Sequence, residues 1–262
     1  MDLVTISIMK REYRNLVRKG LGRTGKMNPG LITGEDIRNI PEPVKKYLNL
    51  AGVIGKEKVL NFKATFEGRI RSSVESGWMK LKSEQYNFFD EPSRYFYIRA
   101  KKMGLTASGL HKFENEQASM LIKLAGIFTM VDAKGEKMNQ AETVTLFNDM
   151  CIMAPATLIS PSIEWENIDA LTAGAKFRNG SITITATLFF NEKGELINFL
   201  SNDRYETNGK VYNNYPWITP LRNYRSFNGF NLGSEAELIY RKPEGDFCYG
   251  EFRMTGIEYN CR

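Results

Sequence analysis

Cys151, His111 and a neighbouring carboxylate are the residue types in this chain that could assemble a nucleophilic site. His111 is the single histidine of the 262 residues. Any base that activates the Cys151 thiol, or a water, must therefore be that imidazole, with Asp149, Asp132 or Asp203 to orient it. Such a set would act on a small ester or thioester. The local sequence favours a plainer role for both residues. Cys151 lies in Met150-Cys151-Ile152-Met153-Ala154, a run without a polar side chain, where a thiol packs as a small apolar group. His111 lies in Gly109-Leu110-His111-Lys112-Phe113, which reads as part of a strand. No metal site is expected, because one His and three Cys without close spacing cannot fold around an ion, and no acidic loop of the calcium type occurs. Gly20-Leu21-Gly22 lacks both a preceding strand and a third glycine, so no nucleotide or other cofactor is expected.

Binding residues are easier to nominate. In Asp203-Arg204-Tyr205 the arginine either pairs with its acidic neighbour or anchors an anionic head group, for which its planar fork is suited. Pro216-Trp217-Ile218-Thr219-Pro220 reads as a rigid loop whose indole packs on a sheet edge or serves as a lid. Aromatic residues crowd the first half of the chain, and Trp78, Phe96, Met150 and Trp217 are candidate walls of an apolar site with Arg204 at its rim.

The element that would support such a site is Asn139–Ile159, predicted to be a helix. Asn139 followed by Glu142 has the spacing of a capping box. Ala141, Val144, Phe147, Met150 and Ala154 recur at helical intervals, and the last turns are apolar on nearly all sides. Such a helix has to be covered. Alternating segments from Val59 onward supply the cover, for example Phe62, Ala64 and Phe66, or Ile182, Ile184, Ala186 and Leu188. Asn179-Gly180, Asn191 to Gly194, Asn208-Gly209 and Pro243 to Asp246 are short connections of the kind that join antiparallel neighbours. The expected fold is α+β: amino-terminal helices, then a highly curved antiparallel sheet, a half-barrel or open barrel of roughly eight to eleven strands, wrapped around the central helix.

Toward the amino terminus, Met9, Tyr13, Leu16, Val17 and Leu21 fall on one helical face, with Lys10, Arg11, Arg14, Arg18 and Lys19 on the others. Gly20 to Gly34 reads as a hinge, and Pro41 to Ala51 as a short helix ending at Gly52. The domain division expected is residues 1–34, a basic helix with a glycine-rich loop, and residues 35–262, one α+β domain.

Of the net charge of +6, five units fall in the first fifty residues. The remainder is nearly balanced, which argues against nucleic-acid binding by the main body. The expected partners are an apolar small molecule or lipid, with peripheral membrane contact through residues 9–21. Met1 to Met9 does not read as an export signal, and no run approaches the length of a membrane span. Three unpaired cysteines fit a reducing compartment. The expected location is thus the cytoplasm or the cytoplasmic face of the membrane.

Several of these motifs occur in a consistent order: Pro41-Glu42-Pro43-Val44-Lys45-Lys46-Tyr47-Leu48, Gly68-Arg69, Trp78, Gln85, Gly109-Leu110-His111, Asn148 to Ala156, Trp165, Asp203-Arg204-Tyr205 and Pro216 to Pro220. Over Ile40 to Asn260 the set resembles a bacterial family of uncharacterised proteins, whose members often carry an amino-terminal membrane segment. That resemblance implies no activity. More loosely, the expected architecture is similar to the half-barrels of periplasmic lipoprotein carriers, which hold acyl chains in the concave face. This likeness implies binding of a lipid-like ligand. The alternatives are a hydrolase or thiol-dependent enzyme using Cys151 or His111, and a membrane-surface or partner-binding module.

Overall fold

The computed structural model describes residues 2–262. Met1 and the side chains of Asp2 to Ser7 lie outside the described residues, and with them most of the Met1–Met9 run read for an export signal. Two helices come first, α1 (Asp2–Thr24) and α2 (Glu42–Ala51). A meander of six strands follows: β1 (Asn61–Ile70), β2 (Met79–Phe88), β3 (Ser93–Lys102), β4 (Leu105–Glu114), β5 (Gln117–Leu124) and β6 (Phe128–Lys134). Helix α3 (Glu136–Met153) and a 3-10 turn (Pro155–Ile159) lead to a second meander, β7 (Ile163–Asp169), β8 (Thr172–Asn179), β9 (Ile182–Phe190) and β10 (Leu196–Ser201). The chain ends with β11 (Tyr205–Thr207), β12 (Tyr212–Asn214), β13 (Trp217–Ile218), β14 (Leu221–Phe227), β15 (Phe230–Lys242) and β16 (Gly245–Tyr259).

All strand pairs are antiparallel, and thirteen strands follow one path, β6-β5-β4-β3-β2-β1-β16-β15-β13-β10-β9-β8-β7, with β14 added on β15 and β11-β12 forming a separate ribbon. The sheet curls into a half-barrel. Its two terminal strands, β6 and β7, are consecutive in the chain apart from α3 and the 3-10 turn. Helix α3 is therefore the crossover that carries the chain from one edge to the other through the hollow. Every residue from Ala141 to Cys151 is buried, because one meander packs on one side of the helix and the second on the other. At one end the two meanders meet directly: the Ser181 amide donates to Glu116 at 2.7 Å, which joins the β8-β9 turn to the β4-β5 turn. Gly180 makes that approach possible. Its φ is +58, and a Cβ there would lie 1.9 Å from Glu116 Oε1.

The apolar layer between helix and sheet includes Val144, Leu146, Phe147, Phe62, Phe113 and Phe199, all fully buried. Phe147 stacks on Phe177 at 4.9 Å and meets Phe199 edge-on at 5.9 Å. The free carbonyls of the last helical turn are capped from outside the helix. Tyr47 on α2 donates to the Cys151 carbonyl at 2.7 Å, and Tyr259 donates to that of Met153.

Helix α1 packs on the opposite, convex face. Met9, Tyr13 and Val17 cluster with Phe88, Tyr95, Tyr97 and Leu110 from β2, β3 and β4, while Lys10, Arg11, Arg14, Arg18 and Lys19 are exposed. The expected division of the helix into an apolar stripe and a basic surface is observed.

Four details differ from expectation. The central helix begins at Glu136 rather than Asn139 and gives way at Ala154 to the 3-10 turn. Asn139 does not cap it: its side-chain oxygen accepts from the Ala118 amide of β5 at 2.8 Å, a tertiary partner that outweighs the local cap. Helix α1 continues through Gly20 and Gly22, where a hinge was expected. A Cβ at Gly20 would sit 2.4 Å from the Phe88 ring, so the glycine lets the helix lie flush on the sheet and offsets its poor propensity. Finally, the sheet has more strands than roughly eight to eleven, because β8, β13, β14 and the β5-β6 hairpin have little alternation or are very short. Helix α2 ends as expected, at a left-handed Gly52 with φ +74.

Candidate ligand-binding site

Glu142 and Asp149 are seven positions apart on α3, which places them about 20° from one another around its axis. Both are buried and face the inner surface of β2 and β3. A carboxylate in such a place requires a cation or several donors. Arg94 of β3, itself buried, meets the requirement: its Nε donates to Asp149 Oδ2 at 2.8 Å, and one terminal nitrogen donates to Glu142 Oε2 at 3.1 Å. The other terminal nitrogen donates to Gln85 Oε1 at 3.2 Å. Gln85 and Asn87, two apart on β2 and thus on the same face, also donate to Asp149 Oδ2, at 2.6 and 3.0 Å.

These contacts pull the two carboxyl groups apart electrostatically. Burial alone would raise Glu142, but Arg94 and His111 hold it down at about 2. For Asp149 burial prevails over Arg94, Asn87 and Gln85, and the shift is upward.

His111 of β4 borders this network. Its Nδ1 is 3.7 Å from Glu142 Oε1, and its ring meets Phe96 edge-on at 5.6 Å. Phe96 lies beneath the Arg94 guanidinium at 5.0 Å and adjoins Phe252, which meets Phe66. A belt of rings thus runs along the inner face from β4 to β16.

The opposite wall is built around Arg204, after β10. Its guanidinium carbon stands 4.5 Å from the Trp217 ring centroid and 5.9 Å from that of Tyr240. Strand pairing sets Trp217 directly across from Tyr240, and Tyr240 stacks on Tyr249 at 5.2 Å. Arg204 donates to the Tyr240 hydroxyl at 3.2 Å and to the Tyr205 carbonyl at 3.4 Å, while its Nε is buried without a partner. The ion pair anticipated within Asp203-Arg204 does not form. Asp203 accepts instead from the Thr185 amide and hydroxyl, at 2.6 and 2.9 Å. Glu142 and Asp149 act on Arg204 only through space.

Of the nominated residues, Phe96, His111, Asp149, Arg204 and Trp217 are thus brought to one hollow. Met150 follows Asp149 on α3 and is buried in the main core. Trp217 is also buried, as part of the short strand β13 rather than a loop. Trp78 stands apart, just before β2, with the guanidinium groups of Arg69 and Arg71 over its ring at 4.6 and 4.3 Å. Cys151 lies nine positions from Glu142, about 180° around the helix, and is completely buried. Burial and the nearby Asp149 push its thiol well up. Asp132, on β6, pairs in register with Leu121 of β5.

Arg94, Glu142, Asn87 and Tyr240 were not singled out as site residues from the sequence, and Gln85 only as part of a motif. A legible signal did exist: two acids seven apart on a helix expected to be enclosed on all sides imply a buried cation.

Among the described residues no helix is long and apolar enough to cross a membrane, and no group of three or more His, Cys, Asp and Glu is placed to hold a metal ion. The chain is similar in fold to a DUF1329 family protein from Desulfovibrio piger (11% identity, TM-score 0.39, covering 83% of this chain and 91% of that one). It is also similar to a β-barrel-like protein of the domain of unknown function DUF1849 from Brucella abortus (8% identity, TM-score 0.23, covering 77% and 98%). No curated protein matches the chain. A family model matches residues 30–252, most of the length that includes the hollow and its network, and the chain belongs to that family of unknown function, DUF6544.

Proposed function

We propose that the protein binds an amphipathic molecule in the concave face of its sheet, with an anionic head at Arg204 and an apolar tail along the inner strands. The observation that carries this reading is the state of Arg204: a cation held between two aromatic faces, with a buried Nε left unpaired and its acidic neighbour engaged elsewhere. An arginine without a carboxylate at contact distance retains donors for a bidentate anion. Next to it, Tyr249 leads toward Phe66, Ile70, Met79, Leu238 and Phe252, half-buried side chains that offer apolar surface without complete cover.

The energies are adequate. Burying about a dozen methylene groups at roughly 0.8 kcal/mol each yields on the order of 10 kcal/mol before the costs of association. Rings at Phe96, Phe252 and Phe66 would flank such a tail, and His111 would stand between it and the acidic network.

Detergent-free protein studied by native mass spectrometry, followed by titration with oleate under tryptophan fluorescence, tests the reading. A bound or titratable fatty acid or phospholipid is expected, with affinity reduced about tenfold or more in Arg204→Met. No complex with any added single- or double-chain lipid would overturn the proposal.

A further inference from the structure

On the convex face, away from the hollow, β2 and β3 set like charges against each other. Lys80 is paired in register with Lys101, and Lys82 with Arg99. All four are exposed. Cross-strand neighbours on one face are about 5 Å apart and successive same-face residues roughly 7 Å, so the four cations form the corners of a small plate. Like charges directly opposite one another are destabilising, and the next strand offers no relief: Arg99 and Lys101 face Ser108 and Thr106 of β4.

On the other side, Lys82 pairs with Glu67 at 2.8 Å, but Glu67 is shared with Arg253, and Glu251 is taken by Arg69. Lys80, Arg99 and Lys101 have no carboxylate within ion-pair distance among the described residues. The plate borders a groove of ≈ 730 Å³, which runs over Gly68 and Phe252 to Arg222 and Arg253. Seven of the residues that line it are Lys or Arg and three are Glu. Helix α1, with Arg11, Arg14 and Arg18 outward, lies on the same face and extends the positive field.

We propose that this plate and groove form a binding site for a phosphate-class anion, a phosphomonoester or diphosphate carried by a soluble molecule or by a lipid headgroup. Tetrahedral oxyanions accept from several Lys and Arg donors at once, and an anion centred on the plate would convert two repulsive cross-strand pairs into bridged ones. The site is separate from the hollow, since strand alternation points Lys80, Lys82, Arg99 and Lys101 away from the side that carries Leu81, Phe96 and Ile98.

The test uses the whole chain with inorganic pyrophosphate in calorimetry, and in parallel with phosphatidylcholine vesicles made with or without phosphatidic acid. The double variant Lys80→Gln, Lys101→Gln is compared with Lys193→Gln, Lys210→Gln, which removes the same charge from exposed positions elsewhere. The expected result is saturable binding that weakens about tenfold or more in the first variant and less than about twofold in the second. The first variant should fold with an unchanged or raised thermal midpoint, because it relieves the Lys80–Lys101 repulsion. Pyrophosphate binding without vesicle binding assigns a soluble ligand. Binding only to vesicles with phosphatidic acid assigns a headgroup. Equal weakening in both variants, or no saturable binding to either probe, overturns the proposal.

Discussion

Arg94 reaches from β3 across the hollow to Asp149 on α3, and its Nε donates to Oδ2 over 2.8 Å. The same guanidinium holds Glu142, so a single side chain neutralises both buried acids of the central helix. Replacing it with methionine would preserve much of the volume while leaving two carboxyl groups enclosed without their cation. The expected loss is about 3–5 kcal/mol, the usual cost of breaking a buried ion pair from one side. Urea unfolding of Arg94→Met measures it, and the triple variant with Glu142→Gln and Asp149→Asn should recover part of the loss. A change below about 1 kcal/mol would show that the network does not stabilise the fold.

Acid should dismantle part of this arrangement. The Glu142 carboxyl is held at about 2 in the folded chain against an ordinary value of 4.5. A group depressed by folding contributes stability at pH above its unfolded value and loses it as pH falls toward the folded one. Stability should therefore decline between about pH 4.5 and about pH 2 by an amount on the order of 3 kcal/mol from this residue. Glu142→Gln should be less stable at neutral pH and should flatten that part of the profile. An identical acid slope in variant and wild type would refute the assignment.

The three thiols should differ in reactivity. Cys151 is fully buried, whereas Cys248 and Cys261 are only partly so. Burial raises all three, Cys151 the most strongly. An alkylating reagent near neutral pH should modify Cys248 or Cys261 first and reach Cys151 only as the protein unfolds. Labelling of Cys151 at the rate of Cys261 in native protein would reopen a thiol mechanism.

Gly180→Ala should loosen the contact between the two meanders. The new methyl group would demand a left-handed conformation costing roughly 1–2 kcal/mol and would also displace the Glu116 carboxylate. Hydrogen exchange is the sensitive readout: the Ser181 amide, which donates to Glu116, should lose protection. Full retention of that protection would contradict this role for Gly180.

The half-barrel was legible because its core strands alternate cleanly. Ile184, Ala186 and Leu188 are buried on β9 as their spacing requires, and the turns at Asn179-Gly180 and Asn208-Gly209 join antiparallel neighbours. The β5-β6 hairpin was not, since Gln117 to Lys134 lies at an edge and keeps most of its side chains partly exposed, which erases the period. Asn139 and Glu142 misled for a different reason. Their spacing satisfies a local rule, yet each is recruited by a distant strand, Ala118 for the first and Arg94 for the second. Arg204 and Trp217 could be nominated from residue type. Their stacking could not, because it depends on Trp217 lying across from Tyr240, twenty-three positions later in the chain.

The placement of β1 beside β16 has a consequence for biosynthesis. Their paired residues lie about 180 to 200 positions apart, so the seam between them cannot form until β16 has left the ribosome. Until then the first meander has one open flank and, before α3 arrives, an uncovered apolar surface. Pairings of such long sequence separation close slowly. Nascent chains should therefore depend on holding factors until β16 has emerged, and truncation within β16 should be far more damaging than the loss of a peripheral strand.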